Sequence, residues 1–282
     1  MKGIDVSKRQ GKIDWQRVKA ADVAFAIVRA GYGMYENQVD PRFAENMAGA
    51  KAAGIPVGVY WYSYAVSPDE ARRETEVCLK ALEPYRAQIV LPVAFDFEDK
   101  CQAGLTADES AAICAKFLAA IEAAGYRPML YSFSNWLQTR LRADSLKSYP
   151  RWVAHTGVSA PVCSEPYLVW QYDHRGRVDG ISGEVDLNEG YDGLFPASAK
   201  DGWVYDGPDV YLYENGQPVK NRWVEDGGWQ YRLGPDGKMQ TGLVEVDGKG
   251  YYLNQERKTV GGIYVPWGAC IATDTSGKII KP

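Results

Sequence analysis

Histidine and cysteine are scarce in this chain. Only two of its 282 residues are histidines, His155 and His174, and there is no HExxH motif, so a histidine-based metal site lacks its ligands. The five cysteines form no CxxC pair, which argues against a zinc knuckle or a dense set of disulfides. A Ser-His-Asp triad stays open, although no Gly-x-Ser-x-Gly motif supports one. We expect no metal ion and no cofactor.

Long apolar runs are also missing. The sequence has no stretch of 18 apolar residues, and its N-terminus lacks the apolar segment of a signal peptide. We therefore expect no membrane insertion. We expect a protein that is made in the cytoplasm and reaches any outside target after release by other means.

Charge is weak and nearly balanced, whereas aromatic residues are plentiful. Lysine and arginine total 32 against 36 acidic residues, and no basic cluster forms a track for phosphates, so nucleic acid is not an expected partner. The 19 tyrosines and 9 tryptophans are the side chains that stack on sugar rings or on quaternary ammonium groups. This composition favours a carbohydrate partner.

Residues 1–195 alternate short apolar runs with helical patterns, which is typical of a β/α fold. Acids early in each helical pattern and glycines just after its end predict helices over 40–53, 69–85 and 107–124. Between the fifth and eighth runs the connections are short or irregular. The sequence predicts an irregular TIM-like β/α barrel with fewer than eight full helices and with strands over 3–7, 23–30, 57–65, 89–98, 129–133, 152–155, 168–172 and 184–187.

The composition changes after residue 195, which predicts a linker over 196–202 and a second domain over 203–282. Aromatic residues recur there every 20 residues, as in Trp203 and Trp223, and the Asn-Gly and Asp-Gly pairs at 215–216, 236–237 and 247–248 are typical hairpin turns. One hairpin cannot bury its own apolar face, so neighbouring hairpins are expected to stack into a small all-β array. The tail from residue 263 breaks the repeat and is interpreted as a cap.

Two acids interrupt the apolar run that predicts the fourth strand. Asp96 and Glu98 are two residues apart, so in a strand they share one face, while Phe95 and Phe97 share the other. Crowding of two partly buried carboxyl groups raises at least one pKa, which keeps a proton available for donation near neutral pH. The alternative is an exposed strand end with two solvated acids.

The ends of other predicted strands favour the catalytic interpretation. In a parallel barrel functional residues gather at the C-terminal ends of strands, and Asp5 ends the first strand, while Asp186 lies in the eighth, its expected neighbour across the closure. Four carboxylates at one mouth predict a sugar-cleaving cleft. Its expected aromatic platforms, each of which could instead be a core residue, are Tyr60, Tyr62, Tyr131, Trp170 and Tyr172.

Several motifs follow in order along residues 2–195 and together resemble glycoside hydrolase family 25, the Chalaropsis-type lysozymes or N-acetylmuramidases. They are Gly3-Ile4-Asp5-Val6-Ser7, Gln10-Gly11, Ile13-Asp14-Trp15, Arg29-Ala30-Gly31-Tyr32-Gly33, Tyr60-Trp61-Tyr62-Ser63-Tyr64, Asp96-Phe97-Glu98, Trp170-Gln171-Tyr172 and Val185-Asp186-Leu187-Asn188. The resemblance implies hydrolysis of the β-1,4 bond from N-acetylmuramic acid to N-acetylglucosamine in bacterial peptidoglycan.

The resemblance also implies a role for each acid. Glu98 matches the proton donor and Asp96 the second catalytic carboxylate, while Asp5 and Asp186 match flanking acids that bind substrate and tune the site. Whether Asp96 attacks the sugar or supports attack by the substrate's own acetamido group stays open. One departure is that no Tyr follows Trp152-Val153-Ala154-His155, where the family has a Trp-x-Ala-x-Tyr element.

The C-terminal hairpins resemble the wall-binding repeats of choline-binding proteins, in which aromatic cages hold choline by cation-π contacts. The resemblance implies a ligand site for choline or another wall polymer made by Trp223, Trp229, Tyr231, Met239 and Tyr251. This chain departs from the pattern because Leu243 stands where a Trp is expected after Thr-Gly. These aromatic residues could equally fill the hairpin stack alone.

Two interpretations of the whole chain remain. The first is a phage or prophage endolysin, with a muramidase barrel tethered to a wall-binding module that raises the enzyme's concentration at an insoluble substrate. The second is a non-catalytic wall-binding protein on a degenerate barrel. The complete set of four acids favours the first.

Overall fold

The computed structural model describes residues 1–195 in full and, after them, residues 202–206, 209–214, 217–246, 248–254, 258–260, 263–265, 269–270, 272–273 and 279–280. The chain divides into two compact units, Met1–Pro196 and Ala197–Pro282. The predicted linker lies outside the described residues except for Gly202. Within the described part, the helices are all too short or too polar to cross a membrane.

The first unit is a closed barrel of eight strands, which confirms the predicted fold. The strands pair in sequence order: β1 (Lys2–Val6), β2 (Phe25–Tyr32), β3 (Val57–Tyr62), β4 (Ile89–Asp96), β5 (Pro128–Phe133), β6 (Arg151–Ala154), β7 (Tyr167–Gly176) and β8 (Val185–Gly190). From β1 to β7, each strand pairs in parallel with the next one in sequence.

The last strand departs from the parallel arrangement that the alternating β/α pattern favours. Strand β8 is antiparallel to both β7 and β1. Only residues 177–184 separate β7 from β8, and so short a connection cannot make the crossover that a parallel pair needs. The chain therefore reverses direction after β7, and β8 pairs with β7 on one side and with β1 on the other, which closes the barrel.

The helices are fewer than the strands. They are α1 (Trp15–Ala20), α2 (Phe43–Ala52), α3 (Pro68–Leu82), α4 (Ala107–Ala123) and α5 (Ser134–Thr139). The Ser67 side chain caps α3, and Thr106 and Glu109 form a reciprocal capping box on α4. The sequence predicted α2, α3 and α4 within a few residues, and the two six-residue helices were missed because they are too short to show a helical period.

Side chains of the barrel strands alternate between an outer and an inner layer. In β4, Phe95 packs outward against Phe117 of α4, with ring centroids 4.2 Å apart. The neighbouring Ala94 belongs instead to an inner cluster with Tyr60 and Trp152. This alternation turns Asp96 away from the face on which Phe95 packs.

The second unit consists of short antiparallel strands. Those with described side chains include β12 (Arg222–Asp226) with β13 (Trp229–Leu233) and β14 (Gly242–Val246) with β15 (Lys249–Leu253). The first of these hairpins turns at Gly227 and Gly228, with φ values of 56° and 76°, a left-handed conformation that glycine adopts readily. That turn was not predicted, and the predicted turn at 215–216 lies outside the described residues.

The remaining strands of this unit are β9 (Gly202–Asp206), β10 (Asp209–Glu214), β11 (Gln217–Pro218), β16 (Lys258–Val260), β17 (Ile263–Val265), β18 (Ala272–Thr273) and β19 (Ile279–Ile280). The predicted turn at 236–237 follows β13, where the chain folds back so that Met239 bridges Leu233. The predicted turn at 247–248 joins β14 to β15, although Asp247 itself is outside the described residues. The tail interpreted as a cap is described only in part.

Candidate active site

The four acids singled out from the sequence lie at one mouth of the barrel. Asp96 is the last residue of β4, so the predicted strand over 89–98 is two residues too long, and Glu98 lies just beyond the strand instead of within it. Asp5 in β1 pairs directly with Asp186 in β8. Because β8 is antiparallel, its beginning lies at the same end of the barrel as the C-terminal ends of the parallel strands. Asp186, near the start of β8, therefore lies at the same mouth as the other three acids.

Amide side chains hold Asp5 inside the barrel. This carboxylate is 4% exposed, and its Oδ2 accepts hydrogen bonds of 2.9 Å from Gln171 Nε2 and Asn188 Nδ2. The two amides are held in turn, because Trp152 Nε1 donates to Asn188 Oδ1 at 2.8 Å and the Tyr131 hydroxyl donates to Gln171 Oε1 at 2.9 Å. The acid and its partners form a fixed network that fills the barrel interior.

Asp5 and Asp186 favour holding a proton between them. Burial is the main cause that raises the pKa of both groups, and the nearby charge of Asp186 raises the pKa of Asp5 further. A hydrogen bond between the two carboxyl groups raises the pKa of Asp5 and lowers that of Asp186. The pair therefore binds a proton more tightly than two solvated acids would.

Glu98 titrates near neutrality. Burial raises its pKa from 4.5 to about 7, a hydrogen bond with Tyr131 lowers it, and the charges of Asp5 and Asp99 raise it. A carboxyl group of this pKa carries a proton in a large fraction of molecules at neutral pH. Glu98 can therefore donate a proton under conditions in which an ordinary glutamate cannot.

Asp96 is as deeply buried as Asp5, and each is 4% exposed. Burial raises its pKa well above the usual value, the charges of Glu98 and Asp5 raise it further, and Arg29 opposes them. Arg29 is itself buried and paired with Asp40, with Nη2 2.6 Å from Oδ2. Oδ1 of Asp96 has no hydrogen-bond partner among the described residues. This oxygen is itself buried, which adds to the cost of ionising Asp96.

The five aromatic residues expected as sugar platforms divide into two sets. Tyr60 and Tyr131 are buried in the barrel, at 9% and 6% exposure, so they do not offer open faces, and the Tyr131 hydroxyl instead holds Gln171. Tyr62, Trp170 and Tyr172 are partly exposed. The Tyr62 hydroxyl donates to Asp99 Oδ2 at 3.0 Å, and the rings of Trp170 and Tyr172 lie 5.6 Å apart. Of the five rings, these three reach the surface of the barrel unit.

Sequence reasoning did not assign roles to three residues that shape this site, which are Arg29, Gln171 and Asn188. Each lay within a motif quoted for the resemblance, but none was proposed as a site residue. The available signal was a polar side chain at a position where a barrel strand should be buried. Among residues 1–195 and the described parts of the second unit, no group of three His, Cys, Asp or Glu side chains has the arrangement of a metal site.

In the second unit, aromatic residues form two equivalent pairs. The rings of Trp203 and Tyr231 lie 5.0 Å apart at 61°, and those of Trp223 and Tyr251 lie 4.8 Å apart at 60°. The two pairs are related by the 20-residue repeat. Trp229 and Tyr231 are buried, with Met239 packed against their cluster, and Leu243 is 84% exposed. Two of the expected ligand-binding rings therefore also fill the hairpin stack.

The comparisons with known proteins agree with this geometry. Residues 4–181 match the family described as Glycosyl hydrolases family 25. The autolytic lysozyme of Clostridium acetobutylicum is 29% identical over 194 residues, and the match covers 69% of this chain and 57% of that relative. Lysozyme M1 of Streptomyces globisporus is 32% identical over 200 residues, and the match covers 67% of this chain and 67% of that relative. The modular autolysin LytC of Streptococcus pneumoniae has a similar structure, with a TM-score of 0.60 and 30% identity over 67% of this chain and 46% of LytC.

The matches cover the barrel and only part of the longer relatives, since this chain spans about half the length of LytC. The family match extends over Asp5, Asp96 and Glu98 and ends before Asp186, and the similar solved structure shares the fold of the barrel unit. The chain belongs to glycosyl hydrolases family 25.

Proposed function

We propose that the barrel hydrolyses the β-1,4 bond between N-acetylmuramic acid and N-acetylglucosamine in bacterial peptidoglycan. The observation that carries the proposal is the cluster of four carboxyl groups at one mouth, in which burial raises the pKa of Glu98 to about 7. Two relatives are named as lysozymes, and LytC has been solved with a synthetic peptidoglycan ligand. Glycosidases use this kind of paired acid for bond cleavage.

In the proposed mechanism Glu98 donates its proton to the glycosidic oxygen as the bond to the anomeric carbon breaks. The leaving N-acetylglucosamine then carries a neutral hydroxyl instead of an alkoxide. Asp96 stabilises the positive charge that develops on the muramic acid ring, directly or through the substrate's own acetamido group. Water then bonds to the anomeric carbon as Glu98 takes a proton back from it, which completes the hydrolysis. Asp5 and Asp186 remain hydrogen bonded and keep a proton in the cluster.

The test is to follow the release of reducing ends from purified peptidoglycan. Wild-type protein should release reducing N-acetylmuramic acid ends, and Glu98→Gln should lower the rate by at least about 100-fold because general acid catalysis contributes about that much. Asp96→Asn should also be strongly impaired. If the wild type releases no such ends but still binds the wall, the non-catalytic alternative is the better description.

A second part of the proposal is that the C-terminal hairpins attach the enzyme to the wall. Support comes from the repeated aromatic pairs, Trp203 with Tyr231 and Trp223 with Tyr251, because aromatic faces bind quaternary ammonium groups such as choline. Full-length protein should sediment with cell walls, and Trp223→Ala should weaken sedimentation while activity on soluble fragments is unchanged. Release of bound protein by free choline would identify choline as the ligand, and indifference to choline would point to another wall polymer.

We further propose that the protein acts in lysis, reaching the wall after release from the cytoplasm. The tethered organisation supports this, since a wall-bound hydrolase stays concentrated at its insoluble substrate. Cells that express the protein should lyse when their membrane is permeabilised and remain intact until then. Lysis that begins without permeabilisation would contradict this role.

A further inference from the structure

A cavity of about 570 Å³ opens beside the acid cluster. It lies where β5, β6 and β7 end and α5 begins, and its lining includes Asn135, His155, Thr156, Gln171 and His174. Gln171 joins the cavity to the active site, because its Nε2 donates to Asp5 while its side chain also lines the cavity. A substrate held at the four acids therefore has this cavity directly next to it.

The chemistry of the lining differs from that of the acid cluster. None of the lining residues, all within the fully described range 1–195, is an aspartate or glutamate, and both histidines of the chain are among them. His155 Nδ1 accepts a hydrogen bond of 3.1 Å from the Val162 backbone N–H. In neutral His155 the proton is therefore on Nε2, which leaves this nitrogen as a donor. The cavity offers donors without a carboxylate to repel an acidic ligand.

A hydrogen bond to its backbone also fixes the position of His155. Trp170 Nε1 donates to the His155 carbonyl oxygen at 2.8 Å, so one of the exposed aromatic rings of the cleft positions the segment that carries this histidine. Phe133, 44% exposed, supplies an apolar part of the lining. Donors beside an apolar surface suit a short peptide, and the volume lies within the range of small-ligand sites, with room for about two or three amino-acid residues.

We propose that this cavity binds the stem peptide that N-acetylmuramic acid carries on its lactyl group, with His155 and His174 facing the peptide's carboxylate and carbonyl oxygens. The inference rests on the proposed function. A muramic acid residue at the four acids must direct its peptide out of the mouth, and the peptide's carboxylates are repelled there. The neighbouring cavity is free of carboxylates and rich in donors, so the enzyme prefers glycan that bears peptides.

Nuclear magnetic resonance tests binding directly, since the chain has two histidines and therefore two imidazole Cε1–H signals. Full-length Glu98→Gln is titrated with a soluble disaccharide tripeptide and with the matching disaccharide without peptide. Both histidine signals should shift with the first ligand and much less with the second. Equal shifts with the two ligands would show a sugar site, and no shift with either would overturn the proposal.

Kinetics supply a second readout. His174→Ala, at an exposed position, and the double variant His155→Ala/His174→Ala should raise KM about 10-fold for peptide-bearing glycan and change it less than 2-fold for amidase-treated glycan. Gln16→Ala, at an exposed residue in a separate groove of the barrel, is the matched control and should change neither value. Equal KM values of wild type and double variant for peptide-bearing glycan would overturn the proposal.

The two proposals fail in different ways. If the wild type cleaves neither substrate, the proposed hydrolysis is wrong, while the histidine signals still report whether the peptide binds. If the wild type cleaves both substrates with the same KM and the signals do not respond to peptide, hydrolysis stands and the peptide site is wrong.

Discussion

Replacing the proposed proton donor should make the protein more stable as well as less active. In Glu98→Gln the amide keeps the shape of the side chain but cannot ionise. In the wild type the folded protein binds the Glu98 proton more tightly than the unfolded chain does, because burial raises the pKa from 4.5 to about 7. Such a group stabilises the folded state fully below pH 4.5, and this contribution is lost as pH rises through 7.

The size of the effect follows from the two pKa values. With 4.5 in the unfolded chain and about 7 in the folded protein, the proton contributes about 2.5 kcal/mol to the free energy of unfolding at pH 5 and almost nothing at pH 8. The glutamine variant lacks this dependence. Its stability relative to the wild type should therefore increase by about 2.5 kcal/mol between pH 5 and pH 8.

Glu74 offers a matched control elsewhere in the barrel unit. It lies in α3, is 1% exposed, and accepts a 2.8 Å hydrogen bond from the Tyr64 backbone N–H. Burial raises its pKa from 4.5 to about 7 as well. Glu74→Gln should show the same pH-dependent gain in stability, but it should retain hydrolytic activity because Glu74 is not one of the four acids at the mouth.

The assay is urea unfolding of wild type, Glu98→Gln and Glu74→Gln at several values between pH 5 and pH 8, together with reducing-end release. A stability difference between Glu98→Gln and wild type that stays constant over this range would refute the assigned pKa. If Glu74→Gln loses as much activity as Glu98→Gln, the loss is not specific to the acid at the barrel mouth, and the proposed role of Glu98 as proton donor is contradicted.

Three further outcomes are expected. Asp40→Asn should lower the free energy of unfolding by about 3–5 kcal/mol, measured by urea unfolding, because it leaves the buried charge of Arg29 without its partner. Gly49→Ala should lower the free energy of unfolding by about 1–3 kcal/mol in the same assay, because the added Cβ would lie 2.1 Å from Trp15 Cδ1. An unchanged urea midpoint would contradict this packing. Residues 1–196 expressed alone should melt cooperatively and keep activity on soluble fragments, because they form one compact unit; a molten fragment would show dependence on the second unit.

Much of the barrel could be predicted because its signals are local. Apolar runs between capped helical patterns located the strands, and alternation along β4 placed Phe95 and Asp96 on opposite faces. The short helices α1 and α5 could not be predicted, since six residues do not establish a helical period. The turn at Gly227 and Gly228 was not predicted, although Asp226-Gly227 is itself an Asp-Gly pair of the kind that marks hairpin turns.

The four acids at the barrel mouth could be predicted from the sequence, but the residues that hold them in place could not. Asp5, Asp96, Glu98 and Asp186 stood out because charge is unusual at the end of a buried strand. Gln171 is an ordinary uncharged residue in sequence, and its role depends on hydrogen bonds with Asp5, 166 positions away along the chain, and with Tyr131. The burial of Tyr60 and Tyr131 likewise depends on how the barrel interior fills.

The sequence by itself therefore determined the strand order, the acids and the 20-residue repeat, because each of these features follows from the spacing of residues along the chain. Only the tertiary structure decided the direction of β8, the pairing of Asp5 with Asp186 and the cavity that contains both histidines. The direction of β8 follows from where β7 ends and β8 begins in the folded barrel, since residues 177–184 are too few for a crossover, and a raised pKa follows from burial among distant residues. Both are properties of the packed molecule that no local pattern contains.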